Sequence, residues 1–238
     1  MLDVSNANGL ARLNLDRPPR NLLAPDLMDV LRAALRAADE DPGVTAIAIS
    51  GGDAEAFCGG LDVAQIQAGA DPVDFAAALV ELYRVFPRLG KPVIAAVNGD
   101  ALAGGYGLVC AADLAVAADT ARLGTFEVSV GLWPMIAQVP ALHRLNPRLA
   151  MENIITGDPF DAHRAHQLGV VNRVVAREAL WSTVEDLAAR CTRAGAATRI
   201  GRRAFYRFAD MPYDDALTGS LDAFREMFRL TEQRTTGS

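Results

Sequence analysis

Apolar and polar positions divide the chain into short strands separated by helices. Residues 9–16 alternate between apolar and polar side chains, as a half-buried strand does. Residues 44–50, 91–99 and 169–175 are rich in β-branched and small apolar side chains, which is typical of buried strands. Residues 24–41 instead repeat apolar side chains at helical spacing. Strands that alternate with helices predict an α/β fold.

Helical patterns fill much of the remaining sequence. A helix of about 20 residues is predicted through residues 74–89. From residue 149 the pattern is helical almost to the end, apart from the strand at 169–175. We therefore expect an α/β core over residues 1–175 and a C-terminal helical region over residues 176–238.

The composition indicates a protein with a substantial core and no nucleic-acid surface. The chain has 238 residues, of which 51% are hydrophobic, and a formal net charge of −6 without basic runs. Cys58, Cys110 and Cys191 are far apart and lack metal-binding spacing, so we expect reduced thiols, a cytoplasmic location and no metal site. Lys91 is the only lysine. No apolar run has the length of a signal peptide core or a membrane span.

The segment ALAGGYGLVCAAD, residues 101–113, places three glycines in an apolar stretch with helical spacing. Each glycine costs a helix roughly 1 kcal/mol relative to alanine. Gly104, Gly105 and Gly107 therefore indicate that something approaches this backbone closely. The segment has no GxGxxG fingerprint, which argues against a dinucleotide site, and the chain has no GxSxG motif of a serine hydrolase.

Four segments, in this order and spacing, resemble the enoyl-CoA hydratase/isomerase (crotonase) family. They are AFCGGLDVAQI, KPVIAAVNGDALAGGYGLVCAADLAVA, ARLGTFEVSVGLWP and ITGDPFDAHRAHQLGVVNRVV. The resemblance implies a ββα spiral core and a coenzyme A (CoA) thioester as substrate. It also implies trimers or dimers of trimers built partly through the C-terminal helices. No cofactor beyond the CoA moiety of the substrate, and no membrane partner, is implied.

The resemblance also implies the catalytic groups. The backbone amides of Leu61 and Gly104 would hold the thioester oxygen as it takes up negative charge, and Glu127 would act as acid and base. One such oxyanion donor is typically worth ~10²–10³ in rate. Gly104 would open a helix, whose dipole also favours the oxyanion. Close approach of the thioester would explain why Gly104 and Gly105 lack side chains.

The same resemblance assigns residues to substrate binding. The CoA would lie along residues 20–24 and the 57–62 loop, where the Arg20 guanidinium can pair with a CoA phosphate. The residues expected to contact the substrate are Arg20, Asn21, Leu22, Cys58, Gly59, Gly60, Asp62, Gly105, Gly107, Trp133 and Met135.

Position 107 departs from the family pattern. Family hydratases carry two glutamates, of which the second matches Glu127 and the first falls on Gly107. Adding water requires one group that deprotonates the water and one that delivers a proton to carbon, whereas a double-bond shift requires a single base. The sequence therefore favours isomerase-type or related enolate chemistry. A hydratase that works with one glutamate and a catalytically degenerate acyl-CoA-binding protein remain open alternatives.

Other polar residues near these motifs have simpler interpretations. We expect the thiols of Cys58 and Cys110 to serve in packing. The remaining candidates, expected to be structural or to lie on a solvated helix, are Asp62, Asp100, Asp113, His163 and His166.

The segment GLWPMIAQVPAL stands where the family usually has small, glycine-rich sequence. Its Trp133 and Met135, with Ile136, either line and narrow the acyl pocket or pack in the core. Family members also commonly continue beyond FREMFRLTEQRTTGS with a short helix that helps cover the CoA. This sequence stops at Ser238, so either the cover over the CoA is naturally shorter or the extension has been trimmed.

Overall fold

The computed structural model describes residues 1–235, which form two sheets surrounded by helices. The strands are β1 (Leu2–Ala7), β2 (Leu10–Leu15), β3 (Ala46–Ser50), β4 (Val93–Val97), β5 (Ala101–Leu102), β6 (Leu114–Ala118), β7 (Arg122–Gly124), β8 (Phe160–Asp161) and β9 (Arg173–Val175). The larger sheet has the order β1-β2-β3-β4-β6-β9 and the smaller sheet the order β5-β7-β8. In the larger sheet β1 and β2 are antiparallel, and the later pairs are parallel.

Ten α-helices lie in the described residues, and most of them follow or connect the strands. They are α1 (Pro25–Glu40), α2 (Val63–Gln67), α3 (Pro72–Tyr83), α4 (Gly104–Ala111), α5 (Gln138–Leu142), α6 (Pro147–Thr156), α7 (Ala162–Gln167), α8 (Leu180–Cys191), α9 (Ala196–Ala209) and α10 (Tyr213–Thr235). Short 3-10 turns occur at Phe86–Arg88, Glu127–Val130 and Arg177–Ala179. None of the helices within residues 1–235 is both long enough and apolar enough to cross a membrane.

The predicted α/β pattern is confirmed at the strands and helices that position the site. Every side chain of β3 and β4 is buried, because the parallel sheet is covered by helices on its faces. The polar sequence LDVSNA gave no signal for β1, which is a largely exposed edge strand. The helix predicted through residues 74–89 is too long. It ends at Tyr83, because Pro87 has no N–H to donate to the carbonyl oxygen of that residue.

Asn21 fixes the loop that follows β3. Its φ of +49° lies in the left-handed region, which asparagine tolerates better than most residues. The buried side-chain amide lies 2.9, 3.1 and 3.2 Å from the carbonyl oxygens of Gly51, Ala56 and Phe57, and its oxygen accepts the Arg17 N–H at 2.8 Å. We expected Asn21 to contact substrate, but its polar side-chain atoms are engaged with the backbone that surrounds the site.

Asn98, which follows β4, holds the same loop from the other strand. Its side-chain oxygen accepts the Gly51 N–H at 2.8 Å, and its amide donates to the Ala54 carbonyl at 3.0 Å. The two asparagines therefore satisfy buried polar backbone groups of a loop that belongs to no strand.

The last helices are joined to the core by a buried arginine on α9. Arg202 pairs with the Asp113 carboxylate at 2.7 Å and donates to the carbonyl oxygens of Leu89 and Phe86. The Tyr206 hydroxyl donates to the other Asp113 oxygen at 2.6 Å. Asp113, expected to be structural, thus connects the end of α4 to α9. The domain boundary at residue 175 stays a prediction, and residues 236–238 of the predicted helical region lie outside the described residues.

Lys91 is buried at the start of the segment that leads into β4. Its side chain donates to the carbonyl oxygens of Ala38 and Asp41 at the end of α1, and burial lowers its pKa. The ammonium therefore caps the last carbonyl groups of a helix whose last turn contains no basic residue of its own.

Replacing Asn21 tests whether its hydrogen bonds hold the loop that follows β3. We expect Asn21→Gly to lower the free energy of unfolding by about 2–4 kcal/mol, because three buried carbonyl oxygens lose a donor. Asn21→Ala should cost about 1 kcal/mol more, since alanine resists a positive φ. Urea denaturation measures both values. An Asn21→Gly protein as stable as the wild type would show that these hydrogen bonds contribute nothing.

Candidate active site

Two backbone amides without a protein acceptor lie on the segments that meet where the 58–61 loop contacts the start of α4. The Cys58 N–H donates to the Asp100 carbonyl at 3.1 Å, and the Leu102 N–H donates to the Cys58 carbonyl at 2.9 Å. The two segments therefore run side by side. Within the described part of the chain, the N–H groups of Leu61 and Gly104 have no protein acceptor. Both amides are free to bind an anionic oxygen, and Gly104 adds the positive end of the α4 dipole.

Two of the three glycines at this junction, Gly60 and Gly105, are required by close contact between the two segments. A Cβ on Gly60, whose φ is +96°, would lie 2.7 Å from the Ala103 Cβ and 3.5 Å from the Gly104 nitrogen. A Cβ on Gly105 would lie 2.2 Å from the Cys58 carbonyl oxygen. The expectation that an approaching thioester explains Gly105 is therefore unnecessary, because the protein's own backbone excludes a side chain there. A Cβ on Gly104 would meet only side-chain atoms, at 3.2 Å or more.

Ala103 turns the backbone sharply just before α4. Its φ of +52° and ψ of −121° are unfavourable for a residue with a Cβ. The Ala103 N–H donates to the Gly124 carbonyl at 2.9 Å, which ties this turn to β7. The strained turn thus brings the smaller sheet and the first amide of α4 together.

Glu127 begins the 3-10 turn that follows β7 and is half-buried. Its carboxylate accepts the Phe126 N–H at 2.9 Å. Burial raises the pKa of Glu127, and hydrogen bonds from the backbone N–H groups of Glu127 and Phe126 offset part of that rise. A carboxyl group with a raised pKa is suited to taking and returning a proton near neutral pH.

The structure adds Tyr83, which the sequence did not single out. The Tyr83 hydroxyl donates to the Gly104 carbonyl at 2.7 Å. A Cβ on Gly107 would lie only 2.0 Å from the Tyr83 oxygen. Burial raises the pKa of Tyr83 well above its usual value, and the negative charge of Glu127 adds to the rise. Nothing in the local pattern of α3 marked this residue, since its role depends on contact with a distant helix.

The two nearby thiols are neutral. Burial raises the pKa values of Cys58 and Cys110 to about 12. Both side chains pack in the hydrophobic core, and Cys191 is also free. Neutral buried thiols are poor nucleophiles, so the packing interpretation fits their surroundings.

The segment expected to hold CoA lies against the 58–61 loop. The Gly59 N–H donates to the Arg20 carbonyl at 2.8 Å, and a Cβ on Gly59 would meet Leu22 at 3.1 Å. Arg20 is exposed at its edge. Asp62 accepts from the Gln65 amide at 2.8 Å and lies 3.6 Å from Arg17, so its carboxylate is engaged within the protein. The substrate contacts of this segment stay predictions.

A cavity of about 580 Å³ lies between α3, α4, α5 and α9, and Tyr83 forms part of its wall. Met135 and Ile136 line it as well, whereas Trp133 is not among its lining residues. The Trp133 indole instead donates to the Gln138 side chain at 2.9 Å on the surface. Of the two expected acyl-pocket residues, Met135 therefore lines this cavity and Trp133 does not.

The remaining candidates have structural partners. Asp100 accepts the Arg122 N–H at 2.9 Å, and the His166 ring lies 3.0 Å from the Val171 carbonyl. His163 lies on the same short helix, α7. Over the residues that the structure describes, no three His, Cys, Asp or Glu side chains form a group able to hold a metal ion.

Comparison with known proteins agrees with these motifs. A family model described as enoyl-CoA hydratase/isomerase matches residues 5–237. The chain belongs to the enoyl-CoA hydratase/isomerase family. It is 33% identical over 230 residues to the crotonyl-CoA hydratase of Syntrophomonas wolfei, covering 94% of this chain and 88% of that protein. It is 32% identical over 213 residues to the carnitinyl-CoA dehydratase of Citrobacter koseri, covering 87% and 80%.

Solved structures of the family have the same fold. The enoyl-CoA hydratase of Mycobacterium smegmatis superimposes with a TM-score of 0.88 at 30% identity, covering 94% of this chain and 89% of that chain. An enoyl-CoA hydratase/isomerase family protein from Silicibacter pomeroyi gives 0.90 at 30% identity, covering 96% and 99%. The expected crotonase fold, α/β with C-terminal helices, is confirmed. The chain is thus an acyl-CoA enzyme of the enoyl-CoA hydratase/isomerase family.

Replacing Gly104 or Gly105 with alanine distinguishes an effect on catalysis from an effect on stability. We expect Gly105→Ala to lower the free energy of unfolding by more than about 3 kcal/mol, because its Cβ overlaps a carbonyl oxygen that cannot move. Gly104→Ala should cost about 1 kcal/mol or less, since two leucine side chains can shift. Its turnover should nevertheless fall by about tenfold or more, because the strain displaces an oxyanion donor. Denaturation and activity measurements on both variants would reveal the opposite order if this assignment is wrong.

Because the pKa of Glu127 is raised, Glu127→Gln should be more stable than the wild type by an amount that depends on pH. A carboxyl group whose pKa is raised by folding stabilises the protein while protonated, and this contribution is lost as the pH rises through the folded pKa. The glutamine variant avoids that loss. Its advantage in melting temperature over the wild type should therefore grow as the pH rises above the ordinary carboxyl pKa of 4.5, and level off once the folded carboxyl group has ionised. An advantage independent of pH would contradict burial as the cause.

Proposed function

We propose that this enzyme moves a proton on an enoyl-CoA thioester with a single carboxylate and so shifts the double bond. The amides of Leu61 and Gly104 bind the thioester oxygen. The Glu127 carboxylate removes a proton from the carbon next to the thioester carbonyl of a 3-enoyl-CoA. The negative charge is delocalised onto the oxygen, and Glu127 returns the proton to the fourth carbon. The double bond then lies between the second and third carbons, and no atom is gained or lost.

One observation carries this proposal. Position 107 has no carboxylate, and the space that a side chain there would need is already occupied. Gly107 has no side chain, and the Tyr83 hydroxyl fills the space that its Cβ would need. The other acidic groups nearby are already used, since Asp62, Asp100 and Asp113 each bind a protein donor. A single base with a raised pKa is sufficient for a double-bond shift but leaves hydration without its second group.

The relatives named as hydratases or dehydratases make hydration with one glutamate the second candidate. In that reaction the water oxygen bonds to the third carbon, and a proton is delivered to the second. Both reactions need only backbone amides, a carboxylate and the CoA moiety of the substrate, so the proposal includes no further cofactor.

We also propose that the enzyme assembles as a homotrimer or a dimer of trimers through its C-terminal helices. Apolar side chains on α10 support this, because Leu217, Leu221, Phe224 and Phe228 are all exposed in the single chain. The cytoplasmic location stays a prediction.

Turnover in heavy water tests the proposed chemistry. The purified enzyme is given 2-enoyl-CoA and 3-enoyl-CoA thioesters of several chain lengths, and deuterium at carbon is followed together with loss of the conjugated thioester. We expect deuterium exchange and a double-bond shift with little hydration. Glu127→Gln should lower exchange by about 10²–10⁴-fold, whereas Glu152→Gln, the same change at an exposed position, should not.

Two outcomes would contradict the proposal. Hydration as fast as exchange would favour the one-glutamate hydratase. Absence of both reactions on every thioester, with CoA thioesters still bound, would favour an acyl-CoA-binding protein.

A further inference from the structure

The side chain that fills position 107 comes from a different helix. Tyr83 is the last residue of α3, and Gly107 lies in the first turns of α4. A Cβ built on Gly107 would lie 2.0 Å from the Tyr83 oxygen, 2.6 Å from the ring carbon that bears it and 3.1 Å from the next ring carbon. These distances are well inside van der Waals contact, so no side chain can be added at 107 while the tyrosine stays where it is.

The Tyr83 hydroxyl is held in this place by a specific bond. It donates at 2.7 Å to the carbonyl of Gly104, the residue whose N–H is one of the two proposed oxyanion donors. A phenol has one proton, and here that proton is used. Because the pKa of Tyr83 is also raised, the group stays protonated and cannot act as a base near neutral pH.

Tyr83 also lines the cavity described above. It forms part of the wall of the 580 Å³ cavity, together with Val80, Met135 and Ile136. The phenol therefore stands between that cavity and the region of Gly104 and Gly107. A water molecule in the side-chain space of Gly107 would have to displace the Tyr83 hydroxyl.

We propose that Tyr83 determines the outcome of the reaction, because its hydroxyl occupies the side-chain space of position 107 and excludes a second proton-transfer group or the water it would activate. This inference rests on the proposed function of the same site. It differs from a role in catalysis itself, since Tyr83 acts by excluding other groups and by fixing the first turn of α4.

The first test is a stability cycle that requires no substrate. Gly107→Ala should lower the melting temperature by about 5 °C or more in the wild-type background, because its Cβ overlaps the hydroxyl. In the Tyr83→Leu background, where the side chain is apolar but shorter, the same change should lower it by no more than about 1 °C. An equal loss in both backgrounds would overturn the inference, because the tyrosine would then not hold that space.

The second test measures the ratio of hydration to deuterium exchange. Gly107→Glu alone should lose activity and stability, since the glutamate cannot fit. Tyr83→Leu/Gly107→Glu has room for the second carboxylate, and its hydration-to-exchange ratio should rise by about tenfold or more over the wild type. A folded double variant with an unchanged ratio would show that Tyr83 does not set the outcome.

If Tyr83→Leu/Gly107→Glu does not fold, the hydration-to-exchange ratio of Tyr83→Leu alone still tests the inference. Opening the space to water should raise the hydration-to-exchange ratio by about threefold, and an unchanged ratio would overturn the inference. Wild-type turnover tests the proposed function separately. If the wild-type enzyme already hydrates as fast as it exchanges, the single-base proposal fails, while the stability cycle and the change in ratio between variants still decide the role of Tyr83.

Discussion

The close contact between two backbone segments, one through Cys58–Gly60 and one through Ala101–Gly105, is the constraint on which the site depends. Their hydrogen bonds leave no space for side chains between them, which is why Gly60 and Gly105 are glycines. The contact brings together two N–H groups that neither segment can satisfy. The proposed oxyanion site thus arises from backbone packing, and its donors are backbone amides rather than side chains.

In this arrangement the backbone amides that would bind the thioester are rigid, whereas the side chains that would react with it can vary. The two amides are fixed by the sheet and by Ala103 in its strained turn. The loop after β3, which Asn21 and Asn98 hold by hydrogen bonds, fixes them further. The side chains proposed to decide the reaction lie around them on separate elements, with the base Glu127 on a 3-10 turn and the space-filling Tyr83 at the end of α3. A fold of this kind can therefore change its reaction by changing a few side chains while the thioester stays bound in the same way.

The sequence predicted the parts of the structure that depend on local pattern. Buried strands such as β3 and β4 are apolar at every position, and the glycines of α4 are conspicuous in an apolar segment. The edge strand β1 was missed because its pairing leaves polar side chains exposed. The reason for Gly105 and the position of Tyr83 could not be predicted, since both depend on contacts between elements distant in sequence. Glu127 and the two amides came from family resemblance, because no spacing rule places them together.

The burial of Lys91 has a chemical consequence for an enzyme of this family. Acyl-CoA thioesters acylate free lysine amines without any catalyst, and arginine, which stays protonated, does not react in this way. Lys91 is the only lysine among 23 basic side chains, is 3% exposed and donates to two carbonyl oxygens at the end of α1. The protein surface therefore offers no lysine side chain to such thioesters, and its positive side-chain charge is carried by arginine.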